Sequence, residues 1–266
     1  MKKFSASSDT APNDQFDFLA SSGEKLFPSI KQIDTFEPFF VRKIPVWKRL
    51  VDIISAIFFL IMLFPAFMAI AILIKIVSPG PVFFKQARIG YGGKPFQFWK
   101  FRTMKVNADT CTHQDYLSDL INGCSDPEDP GKPMAKLDPD NSQIIPLGQL
   151  LRSTCLDELP QLFNVLRGEM SLVGPRPPIP YEVKEYRRWH NDRFDMVPGM
   201  TGLWQVSGKN RLTFKEMIRL DIRYARNISI WSDLLILLKT PWAIIQEFKF
   251  HREQVRFARK GVEQNG

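Results

Sequence analysis

Cysteine is scarce here and shows no pairing pattern: Cys111, Cys124 and Cys155 are odd in number and form no C-x-x-C spacing. Neither a disulfide framework nor a cysteine zinc site is indicated, and a reducing compartment fits. Histidine is equally sparse. His113, His190 and His251 lie far apart, without metal-ligand spacing, and read as surface or packing residues. No G-x-x-x-x-G-K-[ST] is present, so Gly90, Gly92 and Gly93 read as turn residues rather than a phosphate loop. The basic start MKKFSASSDTAPNDQ turns polar at once and lacks the apolar core of a signal peptide.

What the chain does have is unevenly spread. Ile53 to Ile74 runs 22 residues without a charge, against a spanning requirement of ~20 apolar residues. A net charge of +8 implies an anionic partner. The apolar run favours the surface of an anionic bilayer over nucleic acid. Residues 1–40 are polar and aperiodic and are expected to form a disordered tail. A domain is expected over 41–250, with its membrane segment at about 50–77, followed by a basic tail at 251–266 that frays.

Pro65 stands almost at the midpoint of the run, where it removes a hydrogen bond and clashes with the preceding turn. Two arms of about eleven residues result, each too short to span alone. A kinked spanning helix is one reading, favoured by how commonly proline kinks spans. A re-entrant hairpin is the other. Basic residues flank both ends, with Arg42, Lys43, Lys48 and Arg49 before and Lys75, Lys85 and Arg88 after, whereas a single span should bias them to one side. Doubling back would also bring Asp52 near Lys75.

VFFKQAR and FQFWKFR, joined by IGYGGKP, read as a β-hairpin with Phe96 and Phe98 on one face. An exposed helix is expected over Asn107 to Ile121, and a loop at SDPEDPGKP. YEVKEYRRWHNDRF reads as a polar, charge-exposing helix, and VPGMTGLWQVSGKN as a structured loop. Thr213 and Glu216 form a capping box opening the helix FKEMIRLDIRYARN. Asp221 there is as readily an ion-pair residue of that helix as a functional one. The segment ISIWSDLLILLKTPWAIIQEFKF, interrupted at Pro241, reads either as an interfacial helix laying Trp231, Trp242 and Phe248 into headgroups or as a buried core helix.

The centre of the chain is RSTCLDELPQLFNVLRGEMSLVGPRP. Leu159, Leu162, Phe163 and Leu166 follow helical spacing, with Pro160 in the first turn and Gly168 at the C′ position. Asp157 falls where the N-cap belongs, and serves there either as a plain cap or as a nucleophile favoured by the helix dipole.

These segments together resemble the bacterial sugar transferase family, the monotopic phosphoglycosyl transferases. The resemblance runs from about Trp47 to Phe248. Its anchors are KRLVDI, PVFFKQARIG, FWKFRTM, LRSTCLDELPQLFNVLRGEMSLVGPRP, PGMTGLWQVSGKN and LDIRYARNISIWSDLLIL. It implies transfer of a sugar 1-phosphate from a UDP-sugar to polyprenyl (undecaprenyl) phosphate, with release of UMP. Asp157 would be the nucleophile, passing through a covalent phosphosugar intermediate, and Glu158 its partner. Both would face Mg²⁺. Lys100, Arg152 and Arg176 would contact phosphate; Gln205, Lys209 and Asp221 would serve the nucleotide or metal side. Phe64, Val197 and Lys209 depart from residues common in relatives, which have Ser, Arg and Arg there. Larger members carry an N-terminal multi-span module, which these residues lack.

The expected architecture is α+β, mainly helical: a membrane re-entrant helix hairpin broken at a proline, a small β-hairpin and interfacial amphipathic helices. The expected setting is the cytoplasmic face of a bacterial inner membrane. There the enzyme would initiate exopolysaccharide, capsule, O-antigen or glycoconjugate synthesis. Downstream glycosyltransferases and a second copy of the chain are the expected protein partners, with no nucleic acid. The alternative is an inactive membrane-bound interaction protein of a polysaccharide assembly complex.

Overall fold

The computed structural model describes residues 41–106, 121 and 143–264. The helix expected at Asn107 to Ile121, apart from Ile121 itself, the following loop and the tail at 1–40 lie outside the described residues. The chain runs through α1 (Val46–Met62), α2 (Phe64–Val77), β1 (Phe83–Ile89), β2 (Pro95–Phe101), α3 (Gly148–Ser153), α4 (Gln161–Arg167) and β3 (Ser171–Val173). It continues through α5 (Pro180–Lys184), β4 (Gly199–Thr201), α6 (Leu203–Val206), α7 (Phe214–Arg226) and α8 (Ile230–Gln264). The fold is mainly helical, with an antiparallel pair β1–β2 and a short parallel pair β3–β4.

The apolar run is two helices meeting at Leu63 with a bend of 62°. Pro65 sits in the first turn of α2, where its missing N–H costs nothing, so the break falls just before it. No single described helix is long and apolar enough to cross a membrane, but the bent pair is by length and composition. Asp52 and Lys75 do not pair. Asp52 accepts from Ser171 Oγ (3.0 Å) and the Leu172 amide (2.9 Å), and Lys75 donates to the Gly80 carbonyl. Both find buried or local backbone partners closer than each other.

Each arm shows one face to the protein and one outward. Ala56 of α1 packs with Leu162, Val165 and Met170, whereas Phe67, Ile70 and Ile74 of α2 pack with Phe101, Ile145 and Leu151. Ile54, Ile61, Phe64, Ile72 and Ile76 are exposed. Both free ends are bolted to the same body. At the start of α1, the buried Lys48 ammonium lies 2.6 Å from Asp233 and 3.0 Å from Tyr224 Oη. At the end of α2, Arg102 donates to the carbonyls of Ser78 and Pro79.

The hairpin is as expected, with Phe83 opposite Phe101 and Ile89 opposite Pro95. Two elements differ. YEVKEYRRWHNDRF is not one exposed helix: α5 ends at Lys184 and a 3₁₀ stretch covers Arg188–Asp195, burying Glu182, His190 and Arg193. These polar groups have partners that a solvated helix would deny them. Glu182 caps the Ile179 amide, Arg193 meets Asp221 and Tyr186, and His190 Nδ1 accepts from the Arg187 amide. VPGMTGLWQVSGKN is a loop only in part, since it contains β4 and the single turn α6.

α8 runs unbroken through Pro241 to Gln264, so the expected fraying tail continues the helix instead. Ile230, Trp231 (76% exposed), Leu234, Leu235, Leu238 and Trp242 of α8 leave an apolar face uncovered, as an interfacial helix requires.

Two outcomes test this architecture. Lys48→Met should lower stability by about 3–5 kcal/mol, because it strands a buried carboxylate. Adding Asp233→Asn should recover most of that loss in denaturant unfolding in detergent. His190, buried and near Arg193 and Arg187, has its pKa lowered from 6.5 to about 4. Protonating it costs more folded than unfolded, so its contribution is complete above pH 6.5 and is lost as pH falls towards 4. The gap in melting temperature between the wild type and His190→Asn should therefore narrow across that window.

Candidate active site

The segment before α4 does not form the expected cap. Cys155 adopts a left-handed conformation (φ 57°), Leu156–Glu158 make a 3₁₀ turn, and Pro160 is the N-cap of a seven-residue helix. Asp157 therefore stands a turn ahead of α4, and its positive neighbour is a side chain rather than the helix dipole. Gly168 does close α4, at φ 84°.

That side chain is Lys100 of β2. Its ammonium lies 2.9 Å from Glu158 Oε1 and 3.8 Å from Asp157 Oδ2, with Asp157 buried and Glu158 half-buried. Tertiary structure brings the three together across 57 residues of sequence. The junction is fixed by buried Asn164 of α4, whose Oδ1 accepts from the Trp99 amide (3.1 Å) and whose Nδ2 donates to the Gln97 carbonyl (2.6 Å). A buried amide that satisfies a donor and an acceptor on the free edge of β2 sets the register between helix and hairpin to within a hydrogen bond.

The G-P-R-P turn is clamped from two sides. Buried Arg88 of β1 donates to the Pro177 carbonyl at 3.0 Å, and buried Arg193 donates to the Arg176 carbonyl at 2.8 Å. The Arg176 guanidinium, partly exposed, lies 3.8 Å from Glu182. Below the turn, Gly174 and Gly199 meet so closely that a Cβ on Gly199 would come within 2.0 Å of the Gly174 nitrogen. Only glycine permits this approach, which brings β3 and β4 together. Burial and the neighbouring Arg176 lower the Arg88 pKa to about 10, which still leaves it charged at neutral pH.

The other expected residues have contacts of their own. Arg152, in the last turn of α3, is partly exposed. Gln205 donates to the Met200 carbonyl at 3.3 Å, and Lys209 lies 3.6 Å from Glu247 of α8. Asp221 is neither an ion pair within its own helix nor an exposed ligand. It is fully buried against Arg193, and burial raises its pKa to about 6 against the pull of that guanidinium. Its link to the site runs through Arg193 to the Arg176 carbonyl, so it supports the turn from behind.

Arg88, Arg193, Glu182 and Asn164 are the contributors that sequence reasoning missed. Arg88 and Arg193 looked like ordinary basic residues in basic surroundings, and nothing local marks them as buried.

Asp157 and Glu158 are the residues that would hold a divalent cation. Among the described residues, no group of three or more His, Cys, Asp or Glu side chains could hold a metal ion alone. Asp157 and Glu158 still offer two carboxylates on one turn. That set fits a hard cation such as Mg²⁺, which commonly takes one or two carboxylates and fills its shell with water and substrate phosphate.

The profile of the bacterial sugar transferase family matches residues 43–247. The chain is 40% identical over 195 residues to the galactosyl transferase CpsE of Streptococcus agalactiae, covering 73% of this chain and 41% of that protein. It is 37% identical over 197 residues to the exopolysaccharide production protein ExoY of Sinorhizobium fredii, covering 74% and 84% respectively. Identity to the undecaprenyl-phosphate galactose phosphotransferase of Salmonella typhimurium is 38% over 207 residues, 75% of this chain and 40% of that protein. The chain thus spans well under half of two of these relatives and most of the third. With a family match across most of its length, the chain belongs to the bacterial sugar transferase family.

Proposed function

We propose that this protein transfers a sugar 1-phosphate from a UDP-sugar to polyprenyl phosphate through a covalent aspartyl-phosphosugar intermediate. The observation that carries the reading is Lys100 seated between Asp157 and Glu158, with the clamped Arg176 turn as a second cationic element. A nucleophilic carboxylate must approach an anionic diphosphate, and a lysine at its side offsets that repulsion.

In the first half-reaction, an Asp157 oxygen attacks the phosphorus that bears the sugar. The bond from that phosphorus to the bridging oxygen breaks, and UMP leaves with the electron pair. In the second, a phosphate oxygen of polyprenyl phosphate attacks the same phosphorus and releases the Asp157 carboxylate. Arg176 and Lys100 hold phosphate oxygens, and Glu158 orients the acceptor. Asp157 and Glu158 would hold Mg²⁺, which would supply charge neutralisation for the diphosphate. An inactive interaction protein would have no need of two carboxylates, a lysine and an arginine turn gathered in this way.

The membrane reading is a re-entrant α1–α2 pair at the cytoplasmic face of a bacterial inner membrane. Its support is that both ends of the pair are bonded to one folded body, Lys48 to Asp233 and Arg102 to Ser78 and Pro79. A spanning helix would have to part them.

Asp157→Asn should reduce transfer by about 10⁴-fold or more, and Glu158→Gln by roughly 10²-fold. UMP release from a panel of UDP-sugars would read both effects and the sugar preference together. Activity near wild type in Asp157→Asn would overturn the covalent route. In a background without native cysteines, single-cysteine probes at Pro45 and Pro79 should label only from the cytoplasmic side; periplasmic labelling at either would establish a span.

A further inference from the structure

The β1–β2 hairpin carries a pair of cations on each face, and each pair converges on one aromatic ring. On the face towards the dyad, Arg88 and Lys100 lie 5.2 and 5.3 Å from the centroid of Phe98. On the opposite face, Lys85 Nζ lies 4.4 Å and the Arg167 guanidinium 5.0 Å from the centroid of Trp99. Alternation along the strands separates the two pairs, because Lys85 pairs with Trp99 and Phe84 with Lys100.

The two faces differ in how their charges are balanced. Lys100 has the dyad, and Arg88 has Gln86 and the Pro177 carbonyl. Lys85 and Arg167 are exposed, and among the described residues neither has a carboxylate partner. The usual reason for a basic residue at a helix C-terminus is also missing for Arg167, since Arg49 already donates to the Val165 and Leu166 carbonyls of α4. Beneath the two cations the Trp99 Nε1 is buried without a hydrogen-bond acceptor. Two like charges gathered over one indole with an idle N–H make a site that an anion would complete.

Position selects the anion. Arg49 ties the end of α4 to the first turns of α1, whose outward face exposes Val46, Leu50, Ile54 and Ile61. A charged head anchored there would have hydrocarbon beside it. We propose that Lys85, Arg167 and Trp99 bind the phosphate of an anionic phospholipid headgroup, on the side of the hairpin away from the transfer chemistry. The inference rests on the membrane seating proposed above. Trp99 and Lys100 are neighbours in one strand, so a lipid held at this site would bear on the strand that carries Lys100.

The full chain in detergent tests it, with the Trp99 indole N–H resonance, assigned through Trp99→Phe, as the reporter. Dihexanoylphosphatidylglycerol should shift that resonance saturably, whereas dihexanoylphosphatidylcholine should not. Lys85→Gln/Arg167→Gln should weaken the response about thirty-fold, at ~1 kcal/mol per cation near a lipid surface. Arg211→Gln/Arg219→Gln, with the same loss of charge at other exposed positions, should leave it unchanged. No shift, an equal response to the zwitterionic lipid, or equal weakening by both double variants would overturn the site. Inorganic phosphate binding as tightly as the lipid would overturn the lipid assignment. Binding is read here without turnover, so its failure is separate from failure of the Asp157 assay.

Discussion

The pairing of Lys48 with Asp233 under the hydroxyl of Tyr224 is the constraint on which the arrangement depends. It joins the start of the bent apolar helix pair to the last long helix, 185 residues away in sequence, inside the protein rather than on its surface. A charge pair so buried stabilises little in net terms, because desolvation offsets most of the attraction. Its consequence is geometric: α1 can enter only where α8 meets it. Asp52, one turn further along, then receives β3 through Ser171 and Leu172, and β3 in turn carries the chain to the G-P-R-P turn. The seat of the apolar pair and the position of Arg176 thus share one polar framework.

A second framework, built on arginine, shapes the site. Arg88 and Arg193 are buried, and each donates to one backbone carbonyl of a proline-rich turn while its other donors go to side chains, Gln86 for Arg88 and Tyr186 and Asp221 for Arg193. Proline removes the N–H groups by which such a turn might otherwise tie itself down, so its carbonyls must find donors elsewhere. A guanidinium can supply one such donor while its remaining N–H groups are held by side chains. Asp221 and Tyr186 complete the shell around Arg193, and burial raises the Tyr186 pKa even though the Arg193 charge pulls it down.

The two faces of the hairpin give one small element two roles. Residues one apart in sequence, Trp99 and Lys100, point in opposite directions, one towards a cationic aromatic cluster and the other towards the carboxylate dyad. Asn164 holds the strand between them to α4. Movement of the strand would therefore be felt on both sides.

Much was legible in the chain itself. The break near Pro65, the hairpin around the glycines, the Thr213–Glu216 capping box and the glycine closing α4 all arise from local rules of proline, glycine and side-chain capping, and all appear in the structure. The dyad and its lysine were recognisable as residues to watch. Their juxtaposition was not, because the 2.9 Å contact of Lys100 with Glu158 depends on a hairpin docking against α4. The cap assigned to Asp157 failed for a similar reason: Cys155 turns left-handed and a 3₁₀ turn intervenes, which spacing alone does not reveal. The charged stretch from Tyr181 to Phe194 reads as surface by composition, yet tertiary contacts bury Glu182, His190 and Arg193 by giving each a partner. Local propensity determined where the chain bends and caps. Tertiary structure decided which charges are buried and which face one another, since a buried charge is tolerable only beside a partner, and for Lys48, Arg88 and Arg193 that partner comes from a separate part of the chain.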